Sequence, residues 1–396
     1  MITFTALALF IQLIVTFWHA VSVTARPSSY AVWAADSAIK RGQGNGLDAS
    51  GKAIVSYEHG ELQWGLRLLF ERTGNQSYFN YIRQGADNIV FPNGTVHGSY
   101  KLSDFSLDPI RTGPTFLYLL KETGDAKYRT AADTFRDQLD GHPRWLDGIY
   151  MGEVFYAQYT LDFDASNTTA WHDIANQFNL MFTNTLQNAT TPNSTGLLYH
   201  GYDFSHKATW ASSDRGHSPE VWDRALGWYF MALVDVLEIT ANAPSSLPSS
   251  TLAAISDLKV TLQNILATLT PRLIQAADPQ SGVWWLVLTQ PGRTKNYFES
   301  SGAAMYIYSL LRAVRLGYVN DEDGSILRAA RKAFTYMTSN WVIENVDGTM
   351  SWINTVQVGS LDTTGDFNYY VGVPTDFNDL KGLAAFLLAS IEYEYL

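Results

Sequence analysis

The chain has 396 residues, of which 46% are hydrophobic and 14% aromatic, and carries a net charge of −11. That length fits one large domain or two ordinary ones, and the acidic balance argues against a nucleic-acid partner, which wants a basic face. There is no cysteine, which removes disulfides, thiolate catalysis and Cys-based metal sites together without excluding export.

Residues 1–25 read as a secretory signal peptide. Residues 2–25 carry no charge, Ile2 to Val15 form an apolar heart, and Val23-Thr24-Ala25 offers a small-residue cleavage site. An uncleaved membrane anchor is the alternative, because the run is just long enough to span. Five Asn-x-Ser/Thr acceptors, at Asn75, Asn93, Asn167, Asn188 and Asn193, fit export and glycosylation. Three of them fall in the polar stretch 165–195, which reads as exposed loop. Residues 26–396 then form a single domain.

That domain reads as a succession of helices. Ser29 to Arg41 repeats apolar residues at helical spacing. The Gly-rich stretch Gly42 to Gly51 is a plain loop, because no strand precedes it and the Lys-Ser/Thr ending of a phosphate cradle is missing. A helix through Leu62, Leu66 and Leu69 stops at Thr73-Gly74 and a second runs through Tyr81, Ile82 and Ala86. Fifty residues on, a helix through Phe116, Leu117 and Leu120 stops at Thr123-Gly124, and another follows through Ala131 and Phe135. The shared Thr-Gly-x-x-x-Tyr is a helix stop, a turn and an aromatic on the next helix. A repeat of this period means stacked helical hairpins. Pairs around Val154/Trp171, Trp222/Leu262 and Ser301/Ile326, with a last helix from Leu380 to Tyr393, extend the series. Strand patterns are scarce, and Gly282 to Leu288 is the best candidate. About six hairpins predict an all-α (α/α)6 barrel, with an open helical solenoid as the alternative.

Chemistry-bearing residues gather at the hairpin ends. Trp145-Leu146-Asp147-Gly148-Ile149-Tyr150-Met151 puts one carboxylate in an apolar, aromatic run. Lost hydration there would raise its pKa, which suits a general acid. The alternative is an Asp capping a helix that begins at Ile149. Asp108, before Pro109 in Leu107-Asp108-Pro109-Ile110-Arg111, stands at another helix start and invites the same two readings. Two such carboxylates facing one cleft are the equipment of glycoside chemistry. Around Trp222-x-Arg224-Ala225-x-Gly227-Trp228, Arg224 is the natural clamp for a substrate carboxylate, and the two tryptophans either stack on a sugar ring or pack in the core. Eight scattered His without His-Glu-x-x-His give metal chemistry poor support, and no Gly-x-Ser-x-Gly elbow serves a Ser nucleophile.

These blocks resemble the unsaturated glucuronyl/rhamnogalacturonyl hydrolases of glycoside hydrolase family 105, with family 88 as a more distant relative. The resemblance runs from about Tyr30 to the C-terminus. It is carried by Ser56-Tyr57-Glu58-His59-Gly60, the Asp108 and Asp147 blocks, His200-Gly201-Tyr202-Asp203, the Trp222–Trp228 block, Glu299-Ser300-Ser301-Gly302-Ala303, and Tyr369-Tyr370 followed by Asn378-Asp379-x-Lys381-Gly382. It implies an (α/α)6 barrel and a substrate whose non-reducing end is a 4,5-unsaturated uronic acid, as left by a polysaccharide lyase on a pectic rhamnogalacturonan. It also implies hydration of the C4=C5 bond, with no cofactor and no metal. On this pattern Asp147 donates the proton and activates water. Asp108 holds sugar hydroxyls and raises the pKa of Asp147. Tyr57, Met151, His200, Trp222, Arg224 and Trp228 bind substrate, the two tryptophans as ring walls.

The resemblance has one departure. Relatives of this kind carry a Gly-Gly-Phe-Trp-His-Lys-like segment where His142-Pro143-Arg144 here runs straight into Trp145. The competing readings are a hydrolytic glycosidase for saturated sugars, with Asp108 and Asp147 as an ordinary acid and base, and a catalytically impaired sugar-binding relative. The expected partner is an oligosaccharide. No stable membrane association is expected once the leader is removed, and nothing in the sequence points to an oligomeric state.

Overall fold

The computed structural model describes residues 28–104, 106–139, 146–190 and 194–396. The leader, the His142–Trp145 junction and Asn193 lie outside them. Six long helices form an inner ring: α2 (Tyr57–Thr73), α4 (Gly113–Thr123), α6 (Leu146–Phe163), α8 (Asp223–Ala241), α10 (Ser300–Arg315) and α13 (Leu380–Tyr393). Each has an outer partner. These are α3 (Gln76–Asp87), α5 (Ala126–Gln138), α7 (Thr168–Thr185), α9 (Ser249–Ala276), α11 (Ser325–Asn340) and, for α13, the first helix α1 (Tyr30–Lys40). The hairpins therefore close into an (α/α)6 barrel, not an open solenoid. A short helix, α12 (Phe367–Tyr370), precedes α13.

The inner helices are apolar around most of their circumference, as a helix buried on all sides must be. In α8 and α10 nearly every residue is buried. The outer helices show one buried stripe, as in α11, with Ile326, Ala330, Ala333, Phe334 and Met337. Closure depends on Glu394 just past α13. Its carboxylate accepts from Ser29 Oγ and the Ala31 amide and pairs with Arg72 at 2.8 Å, tying the first helix, α2 and the chain end together.

The two Thr-Gly stops are helix C-caps. Gly74 and Gly124 sit at φ 68° and 69°, the left-handed region where a side chain is strained, and each returns its N–H to the helix it ends. Two local expectations change. Residues 165–195 are not one loop, because α7 occupies most of the stretch. Gly282–Leu288 is extended but forms no ladder. It touches its neighbours through the single bridges Trp222↔Val287 and Trp285↔Phe298. Among the described residues the ladders are two short antiparallel pairs, Val342–Glu344 with Met350–Trp352 and Thr355–Val356 with Thr375–Asp376.

Ion pairs cross the barrel interior. Arg111 Nε meets Glu61 Oε2 at 2.9 Å, its Nη2 donates to Tyr150 Oη at 2.6 Å, and Tyr150 Oη donates to the same Glu61 oxygen at 2.8 Å. All three residues are fully buried. Deeper down, Arg312 pairs with Glu392 at 2.6 Å and with Glu238, while Tyr308 donates to Asp235 at 2.5 Å. Breaking a buried pair by removing one partner leaves an uncompensated charge. Glu61→Gln should therefore lower unfolding stability by about 3–5 kcal/mol in urea denaturation. Arg83→Ala, which breaks a 3.7 Å pair at half-exposed side chains, should leave the midpoint essentially unmoved.

Candidate active site

One end of the ring opens into a cleft of about 950 Å³. All eight residues expected to serve catalysis or substrate binding line it: Tyr57, Asp108, Asp147, Met151, His200, Trp222, Arg224 and Trp228. They arrive from separate elements. Tyr57 opens α2, with Ser56 as its N-cap. Asp108 opens a 3₁₀ segment, Asp108–Thr112, wedged between α2 and α6. Asp147 lies in the first turn of α6 with Met151 one turn beyond. His200 is on an extended segment, and Trp222, Arg224 and Trp228 start α8.

Asp147 is not a cap of a helix beginning at Ile149, because α6 already starts at Leu146. Its carboxylate is partly open to the cleft, with 15% of the side chain exposed, and Oδ2 lies 3.1 Å from His200 Nε2. His200 Nδ1 is 2.6 Å from Tyr370 Oη. Burial pushes the Tyr370 hydroxyl well above its usual pKa, so it keeps its proton. A hydroxyl donating to Nδ1 leaves Nε2 as the N–H donor towards Asp147. In the sequence Tyr370 is one half of a Tyr-Tyr pair with no role of its own. Its contact with a residue 170 positions away has no local sequence signal.

Asp108 is raised to about 6, first by burial and then by the charges of Asp147 and Glu58. Its side chain has no hydrogen-bond partner among the described residues, so none of them stabilises the ionised form by a hydrogen bond. Glu58 is turned aside by Lys381, at 3.0 Å, which also holds Asp379 at 2.6 Å.

The tryptophans are less open than ring walls require. Trp222 is 2% exposed. Tyr370 stacks on it at 5.4 Å, the Arg224 guanidinium lies 4.7 Å from its centroid, and Gly359 is so close that a Cβ there would meet the ring at 2.8 Å. Trp228 is 1% exposed and stacks on Tyr150 at 4.8 Å. Both rings shape the cleft wall from within the core and offer at most an edge. The more accessible aromatics on the wall are Phe204, 84% exposed, and Trp210, whose Nε1 donates to Leu361 O at 2.7 Å.

Arg224 is likewise partly committed. Nη1 donates to Val356 O at 2.5 Å and to Ser301 Oγ at 3.3 Å, and Nη2 donates to Gln357 O, which leaves Nε–H and one Nη2–H without a partner among the described residues. It is the single guanidinium among the described cleft-lining residues, against Asp104, Asp108, Asp147, Asp203 and Asp362. It can meet one substrate carboxylate, though not through the free fork first expected.

Of the glycan acceptors, Asn75, Asn93 and Asn188 are exposed. Asn167 is half-buried as the N-cap of α7, and its Nδ2 donates to Asp164 at 2.7 Å.

The comparisons agree with this architecture. The family model described as Glycosyl Hydrolase Family 88 matches residues 30–396. A solved glycoside hydrolase of family 105 from C. acetobutylicum ATCC 824 is 34% identical, with a TM-score of 0.81, over 93% of this chain and 100% of that one. Protein Atu3128 of Agrobacterium fabrum is 34% identical over 211 residues, 52% of this chain and 84% of that protein. The unsaturated rhamnogalacturonyl hydrolase YesR of Bacillus subtilis is 24% identical over 287 residues, 68% of this chain and 74% of that protein. With a family model spanning the barrel and a solved relative similar along nearly all of it, the chain belongs to the family 88/105 glycoside hydrolases and is a glycoside hydrolase.

Proposed function

We propose that the enzyme removes a 4,5-unsaturated uronic acid from the non-reducing end of lyase-generated oligosaccharides, pectic rhamnogalacturonan fragments foremost. The observation that carries this is the pairing of Asp147 and Asp108 in one cleft, with Asp147 held by His200. The C4=C5 bond next to the ring oxygen is a vinyl ether. Asp147 protonates C4, and the positive charge that develops at C5 is shared with the ring oxygen. Water, deprotonated by the same carboxylate, adds at C5. The hemiketal opens to a C5 ketone, and the anomeric carbon releases the aglycone as it becomes an aldehyde. One water is consumed and the acid is restored.

Asp108 supplies the proton economy of this scheme. Two carboxyls beside each other hold one proton to higher pH than either would alone. The substrate carboxylate falls to Arg224 through its remaining N–H groups. Export is a further part of the reading. The leader-like residues 1–25 and the exposed acceptors at Asn75, Asn93 and Asn188 support a secreted glycoprotein.

Two outcomes follow. Asp147→Asn should lower kcat/KM on an unsaturated disaccharide by about 10²–10⁴-fold, the usual contribution of a positioned proton donor, while circular dichroism stays native. Full activity in that variant would remove Asp147 from its role. The pH dependence should have an alkaline limb near pH 6, because Asp108, raised to about 6, holds a proton beside Asp147 below that value and loses it above. A profile flat from pH 5 to about pH 8 would contradict the shared proton. Both are read from the loss of ultraviolet absorbance of the conjugated bond. A saturated-sugar glycosidase would leave that absorbance untouched.

A further inference from the structure

Beside the catalytic cleft lies a second concavity, of about 930 Å³. A thin ridge separates the two. Successive residues of an extended segment face opposite sides, so His200 lines the cleft and Tyr199 lines the second cavity. On the neighbouring segment, which bends at Glu220, that residue lines the cavity and Trp222 lines the cleft. The segments are joined by His200 N–H donating to Glu220 O at 3.2 Å.

The chemistry of this cavity differs from that of the cleft. Two guanidiniums line it. Arg272, near the end of α9, spends Nη1 on Gly196 O at 2.8 Å, and Arg293 lies 3.8 Å over the Phe367 ring with Nη1 donated to Gln290. The acids on its wall are already engaged. Glu220 accepts from Thr289 Oγ1 at 2.7 Å and Gln290 Nε2 at 2.5 Å, and Asp278 accepts from the amides of Gln280 and Ser281. Half-buried Trp285, held at 4.4 Å from Phe298, adds an aromatic surface. A ring for a sugar's C–H face beside guanidiniums for a carboxylate is a match for an acidic saccharide. Among the described residues that line the cleft, Arg224 stands against five carboxyls with no second guanidinium or ammonium for another uronate.

We propose that this cavity is a distal subsite for acidic oligosaccharides. It holds a uronate further along the chain whose unsaturated end occupies the cleft. The idea rests on the uronyl hydrolase reading of the cleft, but its test does not need turnover. Unsaturated pectic di- and hexasaccharides are titrated calorimetrically into Asp147→Asn protein, alone and combined with Arg272→Gln or Trp285→Ala. The hexasaccharide should bind at least about tenfold more tightly than the disaccharide, the gain of a second linked contact. Each added substitution should abolish most of that gain and leave disaccharide binding within about twofold. Equal affinity for both lengths, or an Arg272→Gln protein that keeps the full gain, would overturn the proposal. Arg272→Gln decides the matter if Trp285→Ala fails to fold. Length-dependent binding through Arg272 with no turnover of any unsaturated substrate by wild-type enzyme would sink the cleft reading alone. Turnover without length dependence would sink the subsite alone.

Discussion

The site depends on the guanidinium of Arg111. It is fully buried, lies 4.2 Å over Tyr150 and 4.9 Å over Trp64, and is bonded to Glu61 and Tyr150. Each partner sits within one turn of a residue at the cleft. Arg111 follows Asp108 by three positions, Tyr150 follows Asp147 by three, and Glu61 follows Tyr57 by four. One buried charge cluster therefore fixes the spacing of the three elements that carry the two carboxyls and the first aromatic of the cleft. A buried pair of this kind need not add net stability. Its value is geometric, because the proposed proton transfer from the carboxyl pair to a substrate carbon requires placement to a fraction of an ångström. Gly60 serves the same closeness, since a Cβ there would come within 2.5 Å of Arg111 O.

Above that cluster the cleft divides its labour by environment. Asp108 is half-buried, has no hydrogen-bond partner among the described residues, and is pushed up to about 6 by desolvation and by the charges of Asp147 and Glu58. Asp147 reaches the open space and is aligned by a hydrogen-bonded chain, Tyr370 to His200 to Asp147. Two chemically identical groups are thus set to different tasks by what surrounds them. Trp222 belongs to the same support. Tyr370 stacks on it and His200 leans against it at 4.9 Å, so its ring orients the donors of the chain more than it offers a face to sugar.

Much of this was legible in the sequence because it is local. The stops at Gly74 and Gly124 follow from the left-handed backbone that ends a helix. The barrel follows from hairpins repeating at a fixed period, and Asp108, Asp147, His200 and Arg224 stand out as polar residues at hairpin ends. What was not legible depends on distant partners. Nothing near Trp228 reveals that Tyr150 covers its face, and nothing near Arg224 reveals that the carbonyls of Val356 and Gln357 take its fork. The desolvation that raises Asp108 is likewise not local, because its 3₁₀ segment is wedged between α2 and α6. Gly282–Leu288 has strand composition without a partner strand, so it remains an extended wall segment.

The central claim is that Asp147 delivers a proton to C4 of the unsaturated ring, a step that distinguishes this chemistry from displacement at the anomeric carbon. It is tested most directly by turnover of an unsaturated disaccharide in D₂O, quenched early, with the released uronate examined by NMR. A proton carried by one fixed carboxyl arrives on one face, so a single C4 epimer bearing one deuterium is predicted. Deuterium on both faces of C4, as in tautomerisation of a free unsaturated sugar in solution, would contradict the account.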